Sequence, residues 1–133
     1  MKSTLITLLT TCVLIFTGCT TPVAIDPQTG QQQQAEYRAG FFYAPLDAPI
    51  GDIFKTSIRE LDAMGYFRTG ELHKEESITI YARKIGDEEI TVRAYIPTNT
   101  EKFQSQSAIR IRVGSFGNLA ESQTIYARIR DAL

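Results

Sequence analysis

The sequence has little of the chemistry that disulfides and metal sites need, since it contains two cysteines, one histidine and no tryptophan. Cys12 lies inside an N-terminal apolar stretch, and Cys19 follows directly after it. If that stretch is removed, the one remaining cysteine cannot form an intramolecular disulfide, a thioredoxin-like pair or a zinc–cysteine site. His73 has no second histidine with which to share a metal ion. We therefore predict that the protein holds no metal and no cofactor.

The chain also lacks an excess of either charge. It has 14 Lys and Arg against 15 Asp and Glu, which gives a net charge of -1. Proteins that bind nucleic acid usually carry a basic patch or a basic excess. The balance therefore predicts no nucleic-acid partner.

No run of the sequence is long enough to span a bilayer as a helix, which takes about 20 apolar residues. The largely apolar run from Leu5 to Phe16 is shorter, begins after Lys2, and ends in Thr17-Gly18-Cys19. A basic start, a short apolar centre and small residues at the exit are typical of a cleaved secretory signal. We interpret residues 1–18 as a lipoprotein signal peptide. An uncleaved anchor helix and an ordinary signal cut elsewhere are the alternatives.

The Phe-Thr-Gly-Cys ending resembles the lipobox of bacterial lipoproteins, in which cleavage precedes the cysteine and its sulfur carries diacylglycerol. The resemblance implies lipidation of Cys19 and a membrane partner held through acyl chains such as palmitate. Two or three chains together make dissociation negligible. Thr20, in place of Asp after the cysteine, resembles the sorting pattern of outer-membrane lipoproteins in enteric bacteria. We therefore expect a lipid-anchored protein on the outer membrane, facing the periplasm.

Residues 19–35 are predicted to be the lipidated N-terminus and a flexible, Gln-rich tether. This stretch contains two prolines, Gly30 and four consecutive glutamines, and it has no apolar periodicity. Such a composition does not supply enough apolar surface to order a chain.

Residues 36–133 are predicted to form one α+β domain. Residues 37–43 alternate as a first strand, with Tyr37, Phe41 and Tyr43 on one face. A helix is expected from the N-cap Asp47 to Gly65. Three further strands are predicted from apolar residues that alternate and face the core. These residues are Ile78, Ile80 and Ala82 in the first strand, Ile90, Val92, Ala94 and Ile96 in the second, and Ile109, Ile111 and Val113 in the third. A weaker strand over 66–72 precedes them.

A second helix should begin at the capping box Asn118–Glu121 and bury a stripe that includes Leu119, Tyr126, Ile129 and Leu133. Half-apolar helices and a half-apolar sheet can share one core. The prediction is a two-layer α+β fold with an antiparallel sheet, two helices on one face, and the order β-α-β-β-β-β-α.

The run Ile109-Arg-Ile-Arg-Val-Gly-Ser-Phe-Gly-Asn118, followed by a terminal amphipathic helix, resembles the closing signature of a family of short bacterial lipoproteins catalogued as a domain of unknown function. Pro45-Leu46-Asp47, Met64-Gly65-Tyr66 and the strand Glu89–Tyr95 match the same family pattern. The resemblance implies this order of elements and a lipid anchor. It implies no activity.

We find no catalytic constellation and predict that the protein is not an enzyme. His73 lies among charged residues, and no serine has a Gly-x-Ser-x-Gly setting. The acids Glu75, Glu76 and 87–89 fall at predicted turns, where a carboxyl group rarely loses the water that a general acid must lose. Residues 114–117 are interpreted as a tight turn, with anion binding as the alternative.

The polar face of the sheet is the candidate interaction face, because tyrosine and arginine are favoured at protein interfaces. Its residues are Tyr81, Arg83, Arg93, Tyr95, Arg110 and Arg112. We predict a non-catalytic interaction or structural domain with an envelope protein partner. The alternatives are a solvated face without a partner, contact with anionic head groups, a small-ligand or lipid binding module between helices and sheet, and an enzyme that acts on cell-wall glycans.

Overall fold

The computed structural model describes residues 20–23, 25–26, 30, 32–99 and 103–133. The predicted signal peptide and Cys19 lie outside this part of the chain. The elements are β1 (Thr21–Pro22), β2 (Glu36–Arg38), β3 (Phe41–Leu46), α1 (Ile50–Ala63), β4 (Phe67–Lys74), β5 (Ser77–Arg83), β6 (Glu89–Tyr95), β7 (Ser107–Val113) and α2 (Leu119–Ala132).

All neighbouring strands are antiparallel, and they form one sheet in the order β1-β2-β3-β7-β6-β5-β4. Helix α1 carries the chain from β3 to β4 at the far edge, and the meander β4 to β7 returns to pair with β3. Both helices pack against the sheet and against each other over one hydrophobic core. The predicted two-layer α+β class is confirmed. No helix in the described part of the chain has the length and apolarity to cross a bilayer.

The first predicted strand is a hairpin, which divides it into β2 and β3. Ala39 and Gly40 both have positive φ, at 51° and 80°, and a two-residue loop of this kind reverses the chain tightly. Tyr37 therefore lies opposite Phe42 instead of sharing a face with Phe41. Phe42 is fully buried in the core, whereas Phe41 lies on the other face. The predicted face of this strand was wrong because a reversal changes which residues share a side.

Helix α1 begins two residues later than its predicted cap. Pro49, not Asp47, is the N-cap, and its carbonyl accepts from the N–H groups of Asp52 and Ile53. The C-terminus is as predicted: Gly65 has a φ of 80° and donates to the carbonyl of Asp62. Tyr66 donates to Leu61, which completes a Schellman motif.

Helix α2 begins at the predicted cap, where the Asn118 side chain accepts from the Glu121 N–H at 3.1 Å. The helix ends at Ala132, so Leu133 is exposed and does not extend the buried stripe. Ile96 was also assigned to the core, but it follows the end of β6 and is 46% exposed.

The predicted flexible tether is ordered where the structure describes it, and we call residues 20–35 the N-terminal arm. Strand β1 pairs with β2, and the Val23 N–H donates to the Ala35 carbonyl at 2.8 Å. Val23 and Ala35 are buried in the core. Asp26 is 3% exposed, and its Oδ2 lies 2.9 Å from Nη1 of Arg130 on α2. The sequence gives no periodic signal for these contacts, because two small apolar residues and one ion pair make them.

The two edges of the sheet differ. The arm forms one edge with a strand of two residues, whereas β4 forms the other with eight residues, all of them exposed. A register shift between Arg68 and Gly70 interrupts β4. The edge also carries Arg68, Glu71 and Lys74, and such charges and bulges discourage pairing with other chains.

Candidate interaction face

The sheet face opposite the helices, which we call the outer face, brings together side chains from β2, β3, β5, β6 and β7. The pairing places Tyr43 opposite Arg110, Arg110 opposite Arg93, and Thr91 opposite both Tyr81 and Arg112. Alternation along each strand sends Phe42, Val92 and Ile111 to the core and their neighbours to the outer face. The core strands thus fix an arginine-rich surface on the opposite side.

Four arginines lie over aromatic rings on this face. The guanidinium carbons of Arg110 and Arg112 lie 4.6 and 4.9 Å from the centroid of the Phe41 ring. Arg38 lies 4.9 Å from the Tyr43 ring, and Arg93 lies 5.7 Å from the Tyr95 ring. Cation–π contacts at such distances hold a guanidinium group in place without neutralising its charge.

These same four arginines are set apart by their lack of ion pairs. The chain has nine arginines, and five of them form ion pairs with carboxylates: Arg59, Arg68, Arg83, Arg128 and Arg130. Within the residues that the structure describes, Arg38, Arg93, Arg110 and Arg112 form none. In this part of the chain, the arginines that form no ion pair are therefore concentrated on one surface.

Two like charges also face each other directly, because Arg93 of β6 is in register with Arg110 of β7. Like charges at opposing positions destabilise a sheet. The Nε atoms of both residues are buried and, among the described residues, have no hydrogen-bond acceptor. Arg93 donates from Nη2 to the Ser77 hydroxyl at 3.3 Å. This arrangement costs stability in the isolated domain.

Two clefts open on the outer face, with Arg110 in the wall of both. The first, which we call the Tyr43 cleft, has a volume of about 280 Å³, and its wall includes Arg38, Tyr43, Glu76, Arg93, Tyr95 and Arg110. The second, the Phe41 cleft, has about 390 Å³, and its wall includes Phe41, Tyr81, Glu89, Arg110 and Arg112. Arg112 is already occupied, since it donates to the carbonyls of Gly114 and Ser115.

Part of the outer face is covered by the chain itself. Phe103 packs on Tyr95 and Ala108, with Tyr43 beside them, in a small second hydrophobic cluster. Tyr95 and Phe103 are each only 9% exposed. The tyrosine predicted to contact a partner is therefore mostly buried, and it forms a wall of the Tyr43 cleft.

The predicted face residues do not all come together. Arg93, Tyr95, Arg110 and Arg112 are central, and Tyr81 borders the Phe41 cleft. Arg83 lies at the end of β5, where it forms an ion pair with Asp87 at 2.6 Å. Lipidation at Cys19 concerns a residue outside the described part of the chain.

Sequence reasoning missed Arg38, Phe41 and Tyr43, which complete both clefts. The signal that could have placed them was the Ala39-Gly40 turn. A two-residue loop there puts Arg38 and Phe41 opposite each other on the same face, and Tyr43 follows two residues later.

Of the other residues considered for catalysis, Glu76 and Glu89 lie in the walls of the two clefts, whereas His73 lies on the edge strand and the 114–117 turn serves the fold. His73 is exposed, packs its ring edge-on against Phe54, and lies 3.0 Å from a Glu71 oxygen. The 114–117 turn has positive φ at Gly114 and Gly117, as a tight turn requires, and its carbonyls accept from Arg112.

Glu121 connects three elements. Its Oε1 accepts from the Tyr66 hydroxyl at 2.7 Å and from Lys84 Nζ at 2.8 Å. Burial raises the pKa of Glu121, but the hydrogen bonds from Lys84 and Tyr66 outweigh burial, and its pKa is lowered overall. Glu121 is thus an ionised acceptor that joins the residues following β5 and α1 to the start of α2.

Comparison with known proteins gives one family match. The model of the family described as "Protein of unknown function (DUF3568)" matches residues 2–132, nearly the whole chain. The resemblance to a domain of unknown function is thereby confirmed. No curated protein matches the chain significantly.

Proposed function

We propose a function for this chain, which belongs to the family described as Protein of unknown function (DUF3568). It is a lipid-anchored protein of the bacterial cell envelope, and its folded part is a non-enzymatic binding domain that acts through the outer face of the sheet. The observation that carries the proposal is the concentration on that face of Arg38, Arg93, Arg110 and Arg112, none of which forms an ion pair with a carboxylate among the described residues. Arginine and aromatic side chains are the residues that binding surfaces use most.

The anchor rests on the sequence Phe16-Thr17-Gly18-Cys19 after a short apolar run. Acylation of Cys19 would attach lipid two residues before Thr21, the first residue of β1. Intact-mass analysis of the protein purified from cell membranes should give a mature chain that begins at Cys19 and carries acyl mass. A mature chain that begins elsewhere, or that has no acyl mass, would contradict the anchor but not the binding face.

The outer face supports a binding role better than an enzymatic one. The walls of its clefts consist mainly of arginine, aromatic and threonine residues, with Glu76 and Glu89 in different clefts. Catalysis of glycan hydrolysis uses two facing carboxyl groups. A ligand module between helices and sheet is also less well supported, because core residues of both layers, such as Ile53, Ile111 and Ile125, are fully buried against one another.

In-cell photocrosslinking tests whether the outer face touches a partner. A photoreactive residue at Tyr81, on the outer face, should give a crosslinked species of defined mass. The same residue at Lys55, on α1, serves as the control and should give none. Crosslinking at Lys55 in place of Tyr81 would place the contact on the helical layer and would refute the proposed face.

Charge reversal tests whether the arginines make that contact. The pair Arg93→Glu and Arg112→Glu should abolish the Tyr81 crosslink. The matched pair Arg59→Glu and Arg128→Glu changes the charge equally on exposed helix positions and should retain it. A crosslink of equal yield in both pairs would show that the arginines of the outer face do not carry the interaction.

A further inference from the structure

The Tyr43 cleft gathers three guanidinium groups, from Arg38, Arg93 and Arg110, in a volume of about 280 Å³. Glu76 lies in the same wall, but no ion pair joins it to any of the three within the described residues. The Glu36 carboxylate, two residues before Arg38 on β2, acts electrostatically on Arg38, whereas Arg93 and Arg110 form no ion pair among the described residues. A cleft with this excess of positive charge attracts anions from solution.

We infer that the Tyr43 cleft binds a phosphate-type oxyanion carried by a small ligand or a lipid head group. The inference deepens the proposed function, and rests on it, because it names what part of the outer face binds. A phosphate group supplies several acceptor oxygens and up to two negative charges, whereas a carboxylate supplies two oxygens and one charge. Three cations around one cleft match the phosphate better.

The arrangement of Arg93 and Arg110 gives a second, independent reason. Directly opposed like charges weaken the sheet unless a counter-charge lies between them. Both Nε atoms are buried without an acceptor among the described residues, and an oxyanion can accept from Nε and a terminal nitrogen of the same guanidinium group. Bound phosphate would satisfy both atoms and remove the repulsion. The domain should therefore become more stable when the cleft is filled.

The size and shape of the cleft limit the ligand. Small-ligand pockets generally measure about 300–1,000 Å³, and the Tyr43 cleft lies just below that range. The rings of Tyr43 and Tyr95 line the cleft next to the arginines. A phosphate ester with a small attached group fits this space.

Thermal unfolding of the full chain, purified in a neutral detergent, tests the inference with inorganic phosphate as the probe. At constant ionic strength, saturating phosphate should raise Tm by about 4 °C or more, because a ligand of the folded state stabilises it. Acetate at the same concentration is the control and should leave Tm unchanged. An equal rise with acetate would overturn a phosphate-specific site.

Variants then assign the effect to the cleft. Arg110→Gln should weaken the apparent phosphate affinity at least about tenfold, the loss expected for one charge-assisted pair. Arg93→Gln is a second variant in case the first does not fold, and Arg59→Gln is the matched control on α1. Folded Arg110→Gln or Arg93→Gln protein with an unchanged phosphate response would overturn the assignment.

A pair of short-chain lipids distinguishes the two sources of phosphate. Dihexanoyl phosphatidic acid and dihexanoylglycerol differ only in the phosphate. A Tm rise with the first at lower concentration than inorganic phosphate supports a lipid head group, and similar concentrations support a soluble phosphate ester. An equal rise with dihexanoylglycerol would refute phosphate recognition.

The outcome is separable from that of the proposed function. If Tyr81 crosslinks to a partner while phosphate leaves Tm unchanged, the binding face stands and the phosphate site falls. If phosphate raises Tm but Tyr81 gives no crosslink, the site stands without a protein partner.

Discussion

Gly117 and Gly40 let two turns approach more closely than side chains would allow. Gly117 has a φ of 83°, and a Cβ at this position would overlap the carbonyl oxygen of Gly40 and the hydroxyl of Tyr37. A Cβ on Gly40, which has a φ of 80°, would lie 2.7 Å from the Phe116 carbonyl oxygen. The contact fixes the β2–β3 hairpin against the turn before α2. It thereby helps to hold Phe41 beside Arg110 and Arg112 of β7.

We therefore expect Gly117→Ala to lower the free energy of unfolding by at least about 2 kcal/mol, since a positive φ and a backbone clash act together. Gly51→Ala is the control, because Gly51 lies in α1 and a Cβ added there would have no heavy atom of another element within 4 Å. That change should stabilise the protein by about 0.5–1 kcal/mol. Urea unfolding measures both. Equal, small effects would contradict the close approach.

Secondary-structure elements with local signals were the ones that sequence reasoning placed well. The Schellman end of α1 at Gly65, the Asn118 cap and the alternating strands β5 to β7 all follow from nearest neighbours along the chain. The β2–β3 hairpin was missed because its apolar alternation continues through the turn. The arm was missed because its order depends on contacts with distant residues.

Sequence periodicity predicted only part of the outer face, because the other part depends on the β2–β3 hairpin. Arg93, Arg110 and Arg112 followed from the periodicity of β6 and β7, whereas Arg38, Phe41 and Tyr43 depended on the hairpin. The absence of ion pairs at the four arginines, within the described residues, has no sequence signature, because the carboxylates that pair with the other arginines come from several elements. Only the packed structure separates the two sets.

The Glu121 contacts predict a pH dependence for the packing of α2. Its pKa lies below the ordinary value of 4.5, so the folded state binds its proton less tightly than the unfolded state does. The stabilisation is then fully present above pH 4.5 and is lost as pH falls through the lowered pKa. Glu121→Gln should cost about 1–2 kcal/mol at about pH 7, the value of a charged hydrogen bond, and progressively less as the carboxylate is protonated.

Chemical unfolding between about pH 3 and pH 7 measures this difference. Glu75→Gln, at the exposed β4–β5 turn, is the control and should leave the unfolding free energy nearly unchanged at every pH. A Glu121→Gln cost that stays constant as the pH falls would show that the carboxylate charge is not what the contacts use.

In the molecule as a whole, the N-terminal arm closes one end of the fold over α2. Asp26 should be the residue that holds it, because its carboxylate is buried against Arg130. Asp26→Asn should lower the free energy of unfolding by about 1–2 kcal/mol. This is less than the loss expected when a fully buried ion pair is broken, because Arg130 is partly exposed and retains its ion pair with Asp131. Hydrogen exchange at the Val23 N–H, which bonds to Ala35, should become faster.

Asp131→Asn is the matched control, since Asp131 pairs with the same arginine but is 63% exposed. Its effect should stay within about 0.5 kcal/mol, and exchange at Val23 should not change. Slow exchange at Val23 in Asp26→Asn would mean that β-pairing and apolar burial alone hold the arm.

The unequal edges of the sheet set a limit on self-association. The edge strand of the N-terminal arm, β1, has only two residues, whereas the opposite edge strand, β4, has eight residues. If two copies did pair through β4, against its charges and bulge, they would do so about a two-fold axis and use up the long edge of each. Neither copy would then have a second long edge strand exposed, so association would stop at the dimer. Crowded copies of the domain would in this way meet in pairs without forming fibres.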